Sequence, residues 1–128
     1  MKTLRLMLAE LNTPSAQRDQ WFLWCAVQMA HALIGVAIAG GLLFVLPPWC
    51  AFGTPALGYA LLKEIPDFLR ERSWANARDC VQDTLFVTAG AALAVAIEGG
   101  HMTLLLAAVF VAAIGLAWGT LIRLQVKP

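Results

Sequence analysis

The chain has 128 residues, of which 60% are hydrophobic and only 13% charged, and its net charge is +1. An apolar fraction so far above the roughly 45–50% of a soluble domain excludes an ordinary water-soluble globule and points to lipid as the solvent. No basic run or aromatic-interleaved patch is present, which argues against nucleic acid as a partner. The three cysteines, Cys25, Cys50 and Cys80, lack the pairing and spacing of a disulfide framework or a metal site, and no cofactor is implied.

At the N-terminus, Leu4, Met7, Leu8 and Leu11 share one helical face while Lys2, Arg5 and Glu10 point elsewhere, the pattern of a helix lying on a membrane surface over residues 1–12. The apolar run here is too short for a cleavable signal, so the segment is expected to be retained. Thr13-Pro14-Ser15 reads as a break and restart, with Thr13 as cap and Pro14 in the first turn.

Residues 21–46 carry no charge and exceed the roughly 20 residues needed to cross the hydrocarbon, so they are expected to form a first span. Trp21 and Trp24 stand where an interfacial aromatic belt would lie, and Pro47-Pro48 with Trp49 marks the far side. A second span is expected over residues 50–68. Its apolar part is short and is followed at once by Lys63, Glu64 and Asp67, so a re-entrant hairpin competes with a true crossing. Pro66 lacks an N–H and frees the Leu62 carbonyl, so the end of this element is expected to be kinked and locally polar. Arg70 to Arg78 reads as a polar connection, residues 80–97 as a third span broken only by Asp83, Glu98-Gly99-Gly100-His101 as a tight turn, and residues 102–122 as a fourth span.

The basic residues choose between the two readings of the second element. With four crossings every Lys and Arg falls on one side, and the loops around Pro47-Pro48 and Gly99-Gly100 contain none. Lys and Arg concentrate in cytoplasmic segments, so the expectation is an all-α bundle of four membrane-spanning helices, a single membrane domain in a bacterial inner membrane, with both termini cytoplasmic.

Packing in lipid relies on close approach through small residues. Gly115 and Gly119 make a GxxxG in the fourth span, Thr88, Ala92, Ala96 and Gly100 recur every four residues in the third, and Ala37 with Gly41 do so in the first. Gly35 and Gly90 extend polar faces where a neighbour could come near.

One constellation is more than a hydrophobic helix. Lys63 and Asp67 are four apart, as are Asp79 and Asp83, so each pair shares a helix face. Gln28 and His31 form a polar stripe in the first span, with His31 about 15 Å into the helix. Ionisable groups at such depth cost at least a few kcal/mol unless paired, hydrated or neutral. Two readings stand side by side. In the functional one, Glu64, Asp67, Asp79 and Asp83 are acid, base or ligand groups, Lys63 with Arg72 or Arg78 contacts an anion, and His31 closes the site from above. In the structural one, these are interhelical ion pairs and snorkelling side chains.

The order Lys63-Glu64-Ile65-Pro66-Asp67, an Arg-containing turn, Asp79-x-x-x-Asp83 and a later Gly90, preceded by His31, resembles the VanZ-like family of small bacterial membrane proteins over about half of the chain. In that pattern Gln is usual where Asp67 stands and Asn where Asp83 stands, and the first glycine after it is missing here. The resemblance implies a role in the cell envelope linked to glycopeptide resistance, with lipid-linked or anionic lipid headgroups as partners besides the bilayer. It names no settled reaction. Several spans with small-residue seams and little soluble mass are also similar to phage holins and related lysis or exclusion proteins, which work by oligomerising. In that case Gly115 and Gly119 would be the face of a homo-oligomer.

Overall fold

The computed structural model describes residues 21–125, in which every regular element is helical. The surface helix expected over residues 1–12 and the restart at Thr13-Pro14-Ser15 lie outside the described residues. Helix α1 is Trp21–Leu42, α2 is Pro48–Tyr59 and α3 is Ile65–Arg70, with a π-helical turn, Ala60–Glu64, joining α2 directly to α3; α4 is Trp74–Glu98 and α5 is Met102–Gln125. By length and composition three of them, Trp21–Leu42, Trp74–Glu98 and Met102–Leu124, can cross a membrane.

Local chemistry explains the boundaries. The apolar run of the first span reaches residue 46, but α1 stops four residues earlier. Leu46 precedes Pro47 and so disfavours helix, and the chain tightens into a turn in which Val45 N–H donates to the Leu42 carbonyl at 3.0 Å. Pro47, extended at φ −62° and ψ 151°, caps α2, and Pro48 fills its first turn, where a missing N–H costs nothing.

The expected irregularity before Pro66 takes the form of the π turn, in which Ile65 N–H reaches back five residues to the Ala60 carbonyl. Helix α4 begins at Trp74, so residues 74–78 of the expected polar connection are its opening turns. The Ser73 hydroxyl caps it by accepting from Asn76 N–H at 3.1 Å, and the Asn76 side-chain amide donates to the Asp67 and Glu71 carbonyls, tying the end of α3 to the start of α4. The α4–α5 connection closes as a Schellman turn. Gly100 sits at φ +64°, where only glycine is unstrained, and His101 N–H bonds to the Ala96 carbonyl at 2.9 Å.

Helix α4 is the centre. In its candidate span 56% of residues are buried, against 33% for α1 and 11% for α5, whose outer face carries Leu106, Phe110, Ile114, Trp118 and Leu121. Its most extensive partner is α1. At their contact Gly35 lies on the Val87 carbonyl and Gly90 on the Ala32 carbonyl, so closely that a Cβ on either glycine would overlap the opposing backbone. Beyond that point Ala39, Ala91 and Ala94 pack together with Val36 and Leu43.

The seam on α1 therefore runs through Gly35 and Ala39. Ala37 and Gly41, with the expected four-residue spacing, are exposed, and a Cβ at Gly41 would meet open space. On the other side of α4, Gly119 receives the Trp24 ring and Gly115 lies against Phe86, so the GxxxG of α5 is filled from within the chain rather than left for a second copy. Trp24 is consequently no belt residue: it is 2% exposed, edge-on to Phe86, whereas Trp21 and Trp49 remain exposed.

Candidate functional site

One helical turn explains why polar groups meet. His31 is four residues before Gly35, and Asp83 is four before Val87, so the close glycine contact places these two side chains opposite each other one turn along the same seam. Asp83 accepts a hydrogen bond from the Gln28 side-chain amide at 2.7 Å, and its Oδ1 lies 3.5 Å from His31 Nδ1. Gln28 is fully buried. The other ring nitrogen, Nε2, is 2.8 Å from the Tyr59 hydroxyl of α2, so a single imidazole links α1, α2 and α4.

Tyr59 and Glu64 are five residues apart and would lie on different faces of a regular α-helix. The π turn between them turns both toward the other helices, so that Glu64 is buried while the Tyr59 hydroxyl meets His31. Glu64 is 4% exposed, and its backbone carbonyl accepts from the buried Cys80 thiol at 3.4 Å, so Cys80 belongs to the polar network and not to the apolar filling. Lys63 neutralises this end. Its ammonium donates to Asp67 Oδ2 at 2.7 Å and to Glu64 Oε1 at 3.4 Å.

The expected residues divide into two groups. His31 and Asp83 cluster with Gln28 and Tyr59, and Lys63, Glu64 and Asp67 cluster with Cys80, the two clusters adjoining where Lys63 Nζ lies 6.0 Å from the centre of the Tyr59 ring. Asp79, although on the same helix face as Asp83 by spacing, instead faces α5, where Arg123 Nη2 is 3.5 Å away. That guanidinium is 5% exposed, stacks 4.2 Å above the Trp24 ring and donates to the Gly119 carbonyl at 3.2 Å, a clamp holding α1, α4 and α5 together. Arg72 and Arg78, expected as anion contacts, are exposed, which leaves Lys63 as the cation within the network.

No protein-family model matches the chain, and no curated protein or solved structure matches it. Among the described residues no group of three His, Cys, Asp or Glu is placed to hold a metal ion. What the arrangement offers is hydrogen-bond donors and acceptors of graded burial, a cation flanked by two carboxylates, and an imidazole whose Nε2 meets a hydroxyl while its Nδ1 lies 3.5 Å from a carboxylate.

A groove of about 460 Å³ runs between the π turn with α3 and α4. Ile65, Val81 and Leu85 form its exposed rim, Phe68 and Ala60 its wall, and Glu64 its one charged lining residue.

Three members of the site were not singled out from the sequence. Tyr59 is the chain's one tyrosine and stands four residues before Lys63 in an apolar stretch, a signal that a hydroxyl there needs a partner. Cys80 gave no signal beyond its size. Arg123 read as a cation beyond the end of the last span, and only its position four residues from Gly119 hinted at a buried role.

Proposed function

We propose that the chain is a polytopic protein of a bacterial inner membrane that acts on, or binds, an envelope- or lipid-linked headgroup at the polar network between α1, the π turn and α4, as its resemblance to the VanZ-like family implies. The observation that carries this reading is the convergence of His31, Tyr59, Lys63, Glu64, Asp67 and Asp83 from three separate helical segments, in two adjoining clusters that meet where Lys63 approaches the Tyr59 ring. Scattered snorkelling side chains would each reach for the nearest interface instead. The groove beside Glu64 supports a lipid-linked partner, since its apolar walls suit an acyl chain and lead to a carboxylate and its neighbouring ammonium.

The proposal includes four crossings with both ends in the cytoplasm. Its support is the unbroken helical run formed by α2, the π turn and α3, of 12, 5 and 6 residues, about 35 Å long at 1.5 Å per residue. That is enough to cross about 30 Å of hydrocarbon. The one-sided distribution of every Lys and Arg supports the orientation.

Glu64→Gln and Asp83→Asn test the site. Each variant is expressed at matched membrane content, and glycopeptide susceptibility and the pool of lipid-linked envelope intermediates are measured. Both variants are expected to abolish the change that the wild-type chain produces. Unchanged behaviour in both would remove the site. Abrupt growth arrest with membrane depolarisation on induction would point to a lysis protein of the holin kind, a reading that the filled Gly115 and Gly119 seam does not favour. Reporters fused near Pro48 and Gly100 are expected in the compartment opposite one fused at Pro128.

A further inference from the structure

The groove beside the π turn joins two features that conflict unless something enters it. Its rim and wall are apolar, formed by Ile65 and Phe68 on one side and Val81 and Leu85 on the other, yet the Glu64 carboxylate lines it. The protein pairs that carboxylate weakly. Glu64 is 4% exposed, and among the described residues the one hydrogen bond to its side chain comes from the Lys63 ammonium at 3.4 Å, which is held more closely by Asp67 at 2.7 Å. A buried carboxylate with so little support is costly, and a donor arriving along the groove offsets the cost.

Depth decides which part of a lipid can bring that donor. Helix α4 starts at Trp74, which is 88% exposed and suits the aqueous interface. Cys80, whose thiol donates to the Glu64 backbone carbonyl, stands six residues further along, about 9 Å at 1.5 Å per residue. Glu64 therefore meets a lipid where chain and headgroup join, inside the level of the phosphates. Arg78 lies between the two levels. It is exposed and precedes the rim residue Val81 by three residues, so its long side chain can reach outward along the groove to a phosphate. The groove runs between two helical segments only, a space for one extended chain.

We propose that this groove binds a lysophospholipid, with its single acyl chain along Phe68, Val81 and Leu85, its free glycerol hydroxyl donating to Glu64 and its phosphate beside Arg78. This rests on reading the groove as the seat of the lipid-linked partner and names the class of that lipid. A second acyl chain would replace the hydroxyl by an ester, leaving Glu64 facing an acceptor, and would need space outside the groove. The site thus selects against fully acylated phospholipids as well as for the single-chain form. A terminal amine lies beyond the phosphate, too far out for Glu64, so lysophosphatidylethanolamine and lysophosphatidylglycerol are expected to bind alike.

The full chain in detergent micelles is mixed with equal concentrations of palmitoyl lysophosphatidylethanolamine, the same lipid with its free hydroxyl methylated, and dipalmitoyl phosphatidylethanolamine, and the lipids that stay bound are counted by native mass spectrometry. The hydroxyl lipid is expected to be retained at least about tenfold over each of the others. Equal retention of the methylated lipid, or a preference for the two-chain lipid, overturns the proposal. A diazirine in the acyl chain is expected to crosslink to peptides that contain Phe68 or Val81. Crosslinks concentrated on the outer face of α5 would mean annular lipid only and overturn it too.

Val81→Trp fills the groove from a position that is 60% exposed, and it is expected to abolish selective retention with helical circular dichroism unchanged. Glu64→Met removes the carboxylate at similar length and is expected to make the hydroxyl and methylated lipids equal. Wild-type selectivity in either folded variant overturns the site. Equal retention of the methylated lipid together with lost envelope function in Glu64→Gln and Asp83→Asn would discard the lysophospholipid and keep the headgroup reading. Selective retention with unchanged envelope behaviour in those two variants would keep the lipid site and discard the envelope role.

Discussion

Helices α1 and α4 meet twice, and the two meetings solve the problem of association in lipid in opposite ways. Toward the Pro47 end the contact is made by absence: Gly35 and Gly90 lack side chains, backbone touches backbone, and Ala39, Ala91 and Ala94 fill what remains. Toward the Trp21 end it is made by polar groups, with Gln28 and His31 reaching for Asp83. The first mode draws on dispersion and shape, which lipid tails do not match, and it tolerates almost no added atom. The second draws on a hydrogen bond between Gln28 and Asp83, costly to break from one side and replaceable when both partners change. The apolar contact sets the distance at which the polar one can form, so structure and chemistry lie in adjacent turns of the same pair.

The comparison breaks most completely at the glycine end. Gly90→Leu must push α1 away from α4, and the loss is expected to be about 3 kcal/mol or more, enough to deplete folded protein. Unfolding in mixed micelles titrated with SDS, together with recovery from the membrane, checks it. At the polar end, Asp83→Leu leaves the buried Gln28 amide without its acceptor and is expected to cost about 2 kcal/mol in the same titration. Part of that loss should return when Gln28→Leu is added, and a double variant no better than the single would mean that the hydrogen bond is not what joins the helices there.

Tyr59→Phe removes the one hydrogen bond to His31 and keeps the ring, so its effect on stability is expected to be about 1 kcal/mol or less. The smallest effect is expected at Gly40, where an added Cβ meets nothing within 4 Å. Gly40→Ala should be neutral or stabilising by up to about 1 kcal/mol. A clear loss there would show that the close contact extends further along α1 than Gly35 and Ala39.

Much of the fold was legible because charge and apolar length are properties of a segment alone. The three long apolar helices lie over the runs beginning at Trp21, Cys80 and Met102, and the turns fall at Pro47-Pro48 and Gly99-Gly100. The start of α4 was missed by six residues, because Asn76 and Arg78 look like a polar linker until Ser73 is seen capping a helix and Asn76 is seen bonding back to α3. Within the site, His31, Lys63, Glu64, Asp67 and Asp83 stood out as ions in apolar surroundings. Arg72 and Arg78 stood out for the same reason but point outward, since a count of charges says nothing about direction. Trp24 looked like a belt residue and Arg123 a loop cation; only their meeting over Gly119 makes them a buried pair.

What this sequence determined by itself is where the chain is apolar enough to enter lipid and where proline and glycine turn it, because solvation and backbone geometry act on each segment without reference to any other. What only the tertiary structure decided is the partner of each polar side chain. The π turn that brings Tyr59 and Glu64 to one face, and the glycine contact that brings His31 and Asp83 together, depend on how two helices meet, and no residue taken singly carries that information.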